Sequence, residues 1–265
     1  MVASCRAEVG VIGGSGFNDP AMFGEISEIK MYTPYGAPSD IISVGELKGV
    51  KVAFLPRHGK RHSIPPHLIN FRANVWAMRD LGVKRIIAPS AVGSLREDMK
   101  PGDLVIPNQF IDFTKNRVYS FYDGAVVGHF SLADPFCPEL NKLAAEEAAK
   151  LKIRFHGGGT YVCIEGPRFS TRAESKMFRT WGADIIGMTL IPEVSLAREA
   201  GICYTTLATV TDYDVWADKP VTAQEVVETV KSNVEKVKSL LTELIPVISK
   251  ERKCQCSKSA ENALV

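Results

Sequence analysis

Two carboxylates, Asp212 and Asp214, follow directly on the apolar run Gly201-Ile202-Cys203-Tyr204-Thr205-Thr206-Leu207-Ala208-Thr209-Val210. The run reads as a buried strand, and the C-terminal ends of strands are where α/β proteins open a ligand crevice. A carboxylate placed there must find a partner, because an unpaired buried charge is too costly; an organic base carrying an amino group would be one. On this tetrapeptide alone, two aspartates that merely cap a turn remain the competing reading. A second set of residues suits an anion. Gly13-Gly14-Ser15-Gly16 permits a tight turn and presents backbone N–H groups and a hydroxyl. It lacks the Lys-Ser/Thr of a nucleotide P-loop and the full spacing of a dinucleotide fingerprint, so a plain strand-turn glycine cluster is its alternative. Arg57-His58 adds a two-pronged cationic fork and a second donor, and Ser90 a hydroxyl, each after a strand-like segment. Together these suit a single phosphate; singly, each is as well explained as a surface charge, a loop histidine or a turn residue.

Other chemistries find less support. His58 and His62 stand four apart, a zinc-ligand spacing on a helix, but Gly59 interrupts any helix and no acidic third ligand follows. Cys163 sits in a strand-like run without a neighbouring base, and no Gly-x-Ser-x-Gly elbow occurs, so nucleophilic catalysis is not expected. The six cysteines, at 5, 137, 163, 203, 254 and 256, are too sparse for a disulfide-stapled mini-domain. Cys254-Gln255-Cys256 is tighter than a zinc knuckle and no second pair or nearby His completes a cage, so no metal is expected; the pair is either free or a strained short-loop disulfide.

The elements that must position these residues alternate between strand and helix. Strands are predicted at 8–12, 26–32, 40–44, 51–55, 85–92, 159–164, 183–188 and 201–210. Pro65-Pro66 opens a helix with apolar face Leu68, Phe71, Val75 and Met78, ended by Gly82. A turn-rich segment from 103 to 129 precedes a helix over 138–151 with Leu140, Leu143, Ala144, Ala148 and Leu151 on one face. Thr171-Arg172-Ala173-Glu174 is a capping box for a helix to Trp181, and a further helix runs from Pro192 to Ala200. Thr222 caps a last long helix with core stripe Val226, Val230, Val234, Val237 and Leu241, which Pro246 ends or kinks. No repeat or linker interrupts the 265 residues, so the fold expected is one α/β domain with a mixed central β-sheet flanked by helices, over 1–250, with a polar, mobile tail over 251–265.

A formal charge of +2, from 32 basic and 30 acidic residues spread along the chain, offers no stripe for nucleic acid. No stretch approaches a membrane span and the N-terminus does not read as a signal peptide, so a cytoplasmic protein without membrane association is expected.

The combination of Val11-Ile12-Gly13-Gly14-Ser15-Gly16, Arg57-His58-Gly59, Ser90-Ala91-Val92-Gly93-Ser94-Leu95, Pro101-Gly102-Asp103, Glu165-Gly166-Pro167-Arg168-Phe169, Thr180-Trp181-Gly182-Ala183-Asp184, Gly187-Met188-Thr189 and Thr211-Asp212-Tyr213-Asp214 closely resembles the trimeric purine nucleoside phosphorylase family. The resemblance runs in order over residues 8 to 245 and is closest to the branch that cleaves 5′-methylthioadenosine. It implies phosphorolysis to adenine and 5-methylthioribose 1-phosphate, with inorganic phosphate as co-substrate and neither metal nor organic cofactor. By the same resemblance Ser15, Arg57, His58, Ser90, the Ala91 backbone N–H and Thr189 hold phosphate. Met188 packs under the ribose, Phe169 stacks on the purine, and Ser170, Asp212 and Asp214 read its edge. Asp212 is the implied catalytic group, as general acid or hydrogen-bond stabiliser, with a desolvation-raised pKa. Val226 and Val227 replace a polar 5′ contact by an apolar wall, and His129 reaches a neighbouring subunit's pocket in a homotrimer or dimer of trimers. The 6-oxopurine enzymes carry Asn at the place of Asp212; a carboxylate accepts from an exocyclic amine, so adenine is preferred. Ser15 and Ser90 stand where some relatives have Thr. The tail is similar to that of archaeal members whose disulfides are thought stabilising, and by that analogy Cys137 and Cys203 pair. A broad purine nucleoside phosphorylase accepting adenosine and inosine is the second reading; a non-catalytic nucleoside-binding protein on the same fold is the third.

Overall fold

In the computed structural model the described residues are 6–124, 126–217, 223–261 and 263–265; for 223–228 the description covers the backbone alone. The apolar runs form strands β1 (Val9–Gly13), β2 (Ser27–Ile29), β3 (Ile42–Leu47), β4 (Val50–Pro56), β5 (Arg85–Ser94), β6 (Leu104–Ile106), β7 (Gln109–Phe113), β8 (Phe155–Gly157), β9 (Thr160–Ile164), β10 (Ile185–Gly187) and β11 (Cys203–Asp212). Between them lie helices α1 (Phe71–Asp80), α2 (Pro138–Lys150), α3 (Arg172–Thr180), α4 (Glu193–Glu199) and α5 (Ala223–Val247).

The strands make one mixed sheet in the order β2-β3-β4-β1-β5-β10-β9-β7, with β11 also on β5 and β6 bridging β11 to β8. Strands β4, β1, β5 and β11 run parallel, so their C-terminal ends open on the same side. Helices on both faces explain why β1 and β11 are buried almost throughout rather than alternating. Ile86 and Ala88 of β5 enter a core shared with α1 and α4, while Ile87 enters the opposite core with α2 and α5. β11 keeps step with β5 from Cys203↔Arg85 to Val210↔Val92, then skips Thr211 so that Asp212 faces Gly93. Such a bulge re-aims the side chain that follows it.

Most expected elements stand where periodicity put them, including the Thr171–Glu174 capping box, with both its hydrogen bonds formed. Thr222 lies outside the described residues. Four expectations are corrected. The first helix starts at Phe71, not Pro66, because the Asn70 side chain caps it through the Ala73 N–H; residues Pro66–Leu68 form a separate 3-10 turn that leaves Leu68 exposed. Leu151 is likewise exposed, and the buried face of α2 holds Glu147 instead. The β8 strand was not expected; it pairs with β6 through three residues, too few for alternation to register. The C-terminal segment is packed rather than free: Cys256 and Ala263 are buried, Arg85 Nη2 donates to the Glu251 carbonyl at 3.0 Å, and Leu264 bridges to Gly128.

Candidate active site

The parallel strand ends converge on a cavity of about 220 Å³, the size of a small-molecule site. Its wall includes Gly14 and Ser15 after β1, Arg57 and His58 after β4, Ser90 and Ala91 on β5, and Asp212 and Asp214 at and after the end of β11. Phe169, Ser170, Met188 and Thr189 complete it from the other half of the sheet. Thus eleven of the thirteen residues singled out in sequence share one cavity. Val226 lies in the stretch of α5 whose side chains are outside the description. His129 is exposed and does not line the cavity; its N–H donates to the Ala263 carbonyl at 2.7 Å.

Close approach is what the glycines allow. A Cβ on Gly13 would strike the Phe17 carbonyl, and one on Gly14 would strike Pro89 and crowd Arg57. The turn therefore packs Gly14, and with it the neighbouring Ser15, against Pro89 within β5.

Arg57 departs from its expected role as a bidentate fork for the ligand. Its Nε and Nη2 donate to Glu193 at 2.7 and 2.8 Å, Nη2 also to the Ile12 carbonyl at 3.1 Å, and Nη1 to Pro89 at 3.2 Å. The fork is thus spent on a carboxylate of the same chain, and of the five guanidinium protons one, on Nη1, is left for a ligand. Both partners are fully buried. Burial opposes the Arg57 charge, but Glu193 more than offsets this and raises its pKa. Tyr204 adds an O–H to Glu193 at 2.8 Å, so that carboxylate carries three hydrogen bonds.

His58 sends Nδ1 to the Ile64 carbonyl at 2.8 Å, which makes Nδ1 the protonated nitrogen. Burial, with Arg57 alongside, holds its pKa at about 4. At neutral pH the ring is uncharged, and Nε2 is an acceptor rather than the donor that was expected. His62 stacks on it with ring centroids 4.4 Å apart. Nearby, the Ser90 hydroxyl lies 3.4 Å from both Thr189 Oγ1 and the buried Tyr161 hydroxyl.

At the other end, Ser170 Oγ donates to Asp214 at 2.7 Å, and Asp214 takes a left-handed φ of 49° in a buried position. Asp212 Oδ1 accepts from the Asp214 N–H at 2.8 Å and Oδ2 from the Thr211 hydroxyl at 2.6 Å. Gly93 is required opposite it, since a Cβ there would lie 2.9 Å from Asp212 Oδ1. Phe169 stands partly exposed at the cavity mouth.

Sequence reasoning missed the residues that hold this wall in place. Arg117 is buried and donates to the carbonyls of Ile164, Glu165, Met188 and Ile191, tying together the segments that carry Met188 and Phe169. Nothing in its surroundings along the chain marks it. Glu193 did carry a signal: it is a lone carboxylate in the apolar stretch Leu190-Ile191-Pro192-Glu193-Val194, where an unpaired charge would be too costly. The cysteine reading is also corrected. Cys137 and Cys203 lie with Cys254 and Cys256 in one cluster, all four as free thiols, although sequence spacing had offered nothing to complete a cage.

A small-molecule cavity at parallel strand ends, with hydroxyl donors at one side and a carboxylate pair at the other, agrees with the family match: the chain belongs to the phosphorylase superfamily, whose model covers residues 8–246. Within it, the chain is 61% identical over 260 residues to S-methyl-5′-thioadenosine phosphorylase of Thermofilum pendens, covering 98% of this chain and 99% of that one. The enzyme of that name from Nitrosopumilus maritimus is 60% identical over 256 residues, 97% of each chain. Among solved structures, methylthioadenosine phosphorylase from Schistosoma mansoni in complex with adenine superposes with a TM-score of 0.92 at 40% identity, over 97% of this chain and 96% of that one.

Proposed function

We propose that this protein cleaves 5′-methylthioadenosine with inorganic phosphate, giving adenine and 5-methylthioribose 1-phosphate. The observation that carries the reading is one cavity with two chemically distinct ends. Ser15, Ser90, Thr189, the Ala91 N–H and the remaining Arg57 proton serve a phosphate, and Asp212, Asp214 and Ser170 serve an adenine edge. Phe169 stacks on the base and Met188 supports the ribose between them.

As the C1′–N9 bond breaks, its electron pair passes to the purine while a phosphate oxygen bonds to C1′ from the opposite face. The oxocarbenium-like centre is stabilised by the anion, and the departing base by a hydrogen bond or proton at N7 from Asp212, worth about 10²–10⁴-fold for a positioned acid. Monohydrogen phosphate loses one proton in forming the ester and adenine gains one, so the reaction balances without an outside acid. In this reading His58 Nε2 receives the phosphate proton, a role supported by the hydrogen bond that keeps the ring proton on Nδ1. The two waiting groups, His129 and Val226, belong to a 5′ pocket completed across a subunit boundary in a trimer or a dimer of trimers. The setting is the cytoplasm, and no cofactor takes part. Among the described residues, no helix is long and apolar enough to cross a membrane.

The test is release of free base from 5′-methylthioadenosine, adenosine and inosine, each with and without phosphate. Phosphate-dependent adenine release, fastest from 5′-methylthioadenosine, is expected. Release independent of phosphate would show that the hydroxyl end is not an anion site, and inosine turned over as fast would show that the aspartates do not select the base.

A further inference from the structure

Within the β9 run Tyr161-Val162-Cys163-Ile164, the Tyr161 phenol is the one side-chain oxygen, and the residue is fully buried. A phenol at that depth needs hydrogen-bond partners. It finds them beneath the anion end of the cavity: the Thr189 N–H donates to its oxygen, and Ser90 Oγ lies 3.4 Å from it. Ser90 and Thr189 line the cavity, whereas Tyr161 stands behind them. We propose that Tyr161 is a positioning residue of the anion site, setting the direction of its hydroxyl hydrogen bonds so that Ser90 offers its proton to the bound anion. The inference rests on the reading of that end as the phosphate end.

The direction follows from counting protons. A hydroxyl has one proton to give and lone pairs to accept with. The Tyr161 oxygen accepts from the Thr189 N–H, which leaves the phenol proton for Ser90 Oγ. Burial pushes the phenol pKa up, so that proton stays in place at neutral pH. Ser90 then has its oxygen engaged and its own proton still to place. Its acceptors within the protein are distant, the Ala91 carbonyl at 3.5 Å and Thr189 Oγ1 at 3.4 Å, both beyond the usual hydroxyl bond of about 2.5–3.0 Å. An anion oxygen in the cavity is the better acceptor. The bond that Ser90 receives from the phenol also polarises the one it gives, since linked hydrogen bonds strengthen each other. Without the phenol, Ser90 could turn to accept from Thr189 and present a lone pair to the anion instead.

The sheet is built to admit the phenol here. Strand β10 lies between β5 and β9, pairing Ile185 with Ser94 on one side and with Tyr161 on the other. Tyr161 reaches from β9 past β10 to Ser90 on β5. A side chain on Gly187 would block that path, because its Cβ would collide with the phenol oxygen. The glycine of Gly187-Met188-Thr189 thus makes room for the group that orients Ser90.

The test is Tyr161→Phe in the full chain, which keeps the ring in the core and removes the hydroxyl, with a thermal melt as the check on folding. The phosphate KM should rise about 2- to 10-fold, the range of one neutral hydrogen bond, while kcat and the nucleoside KM stay near their starting values. The rise in melting temperature that phosphate gives without nucleoside should need correspondingly more phosphate. In a Ser90→Ala background the same replacement should change the phosphate KM no further, because a residue acting through Ser90 has nothing left to act on. A purely structural role would instead shift both substrates, or shift the phosphate KM by the same factor with and without Ser90, and either result overturns the proposal. So does an unchanged phosphate KM in Tyr161→Phe when the unmutated chain requires phosphate. If the unmutated chain releases base without phosphate and its melting temperature ignores phosphate, the phosphate reading itself fails, and this inference with it.

Discussion

Replacing Asp212 by Asn tests base recognition with little disturbance of the scaffold. The asparagine carbonyl can keep the Asp214 N–H, now accepted at 2.8 Å. Its amide group can donate to Thr211 Oγ1, now 2.6 Å away, because that hydroxyl has a second acceptor in the Val92 carbonyl at 3.1 Å. The bulge at Thr211 and the fold should therefore survive, with stability changed by no more than about 0.5 kcal/mol. What is lost is a carboxylate acceptor for the exocyclic amine and any acid at N7. A hydrogen bond to a charged group is worth about 1.5–3 kcal/mol, so kcat/KM for 5′-methylthioadenosine and adenosine should fall about 10- to 150-fold. The remaining amide proton suits a 6-oxo group, so inosine should be spared or improved. Base release would be followed for all three nucleosides at saturating phosphate, with a thermal melt as control. An unchanged ratio of adenosine to inosine would remove Asp212 from recognition. An equal fall for both, with the melt intact, would leave it a purely catalytic part.

Three further outcomes are expected. Glu193→Gln removes the countercharge of the buried Arg57 and should cost about 3–5 kcal/mol in urea unfolding, whereas Tyr204→Phe, which leaves the ion pair intact, should cost about 1–2 kcal/mol. Acidification should destabilise the protein through His58: with a native pKa of about 4 and an unfolded one near 6.5, its contribution is complete above pH 6.5 and is lost as pH falls towards 4, about 3 kcal/mol in all. A melting temperature that stays level over that window would refute the buried neutral ring, and His58→Gln should flatten the loss. Phe169→Ala should raise KM for the nucleoside, by about 5- to 150-fold if its ring carries a stacked base, and leave the phosphate KM near its starting value.

The anion end and the base end were both legible in sequence because Ser15, Arg57 and Asp212 stand at strand ends, and strand ends are readable from apolar runs. Ser15 and Arg57 follow β1 and β4, Ser90 lies within β5 and Asp212 ends β11, and the parallel pairing of those strands brings them together. What the sequence did not reveal is how the polar groups are shared out. Arg57 looked free to bind a ligand because its partner Glu193 is 136 residues away. His58 looked like a donor because nothing in the chain order shows which ring nitrogen meets Ile64. Arg117 and the four-cysteine cluster were invisible for the same reason: their contacts are made by backbone carbonyls and thiols brought together from distant elements. Helix starts failed locally, as at Pro65-Pro66, where an Asn cap four residues later decided the boundary.

Arg57 is neutralised by Glu193 before any ligand arrives, and His58 is uncharged at neutral pH. Phosphate would therefore meet hydroxyl and N–H dipoles rather than net positive charge. Fixed dipoles in a water-poor site bind a dianion without tying up its electrons in an ion pair, which leaves its oxygens able to attack C1′. The dianion in turn stabilises the protonated form of the His58 ring beside it, raising the affinity of Nε2 for the proton that phosphate must surrender. A cationic residue in place of His58 would hold phosphate more firmly and make it a poorer nucleophile. His58→Lys should accordingly lower the phosphate KM together with kcat, and a variant that lowered KM while raising kcat would show that the site works by charge and not by dipoles.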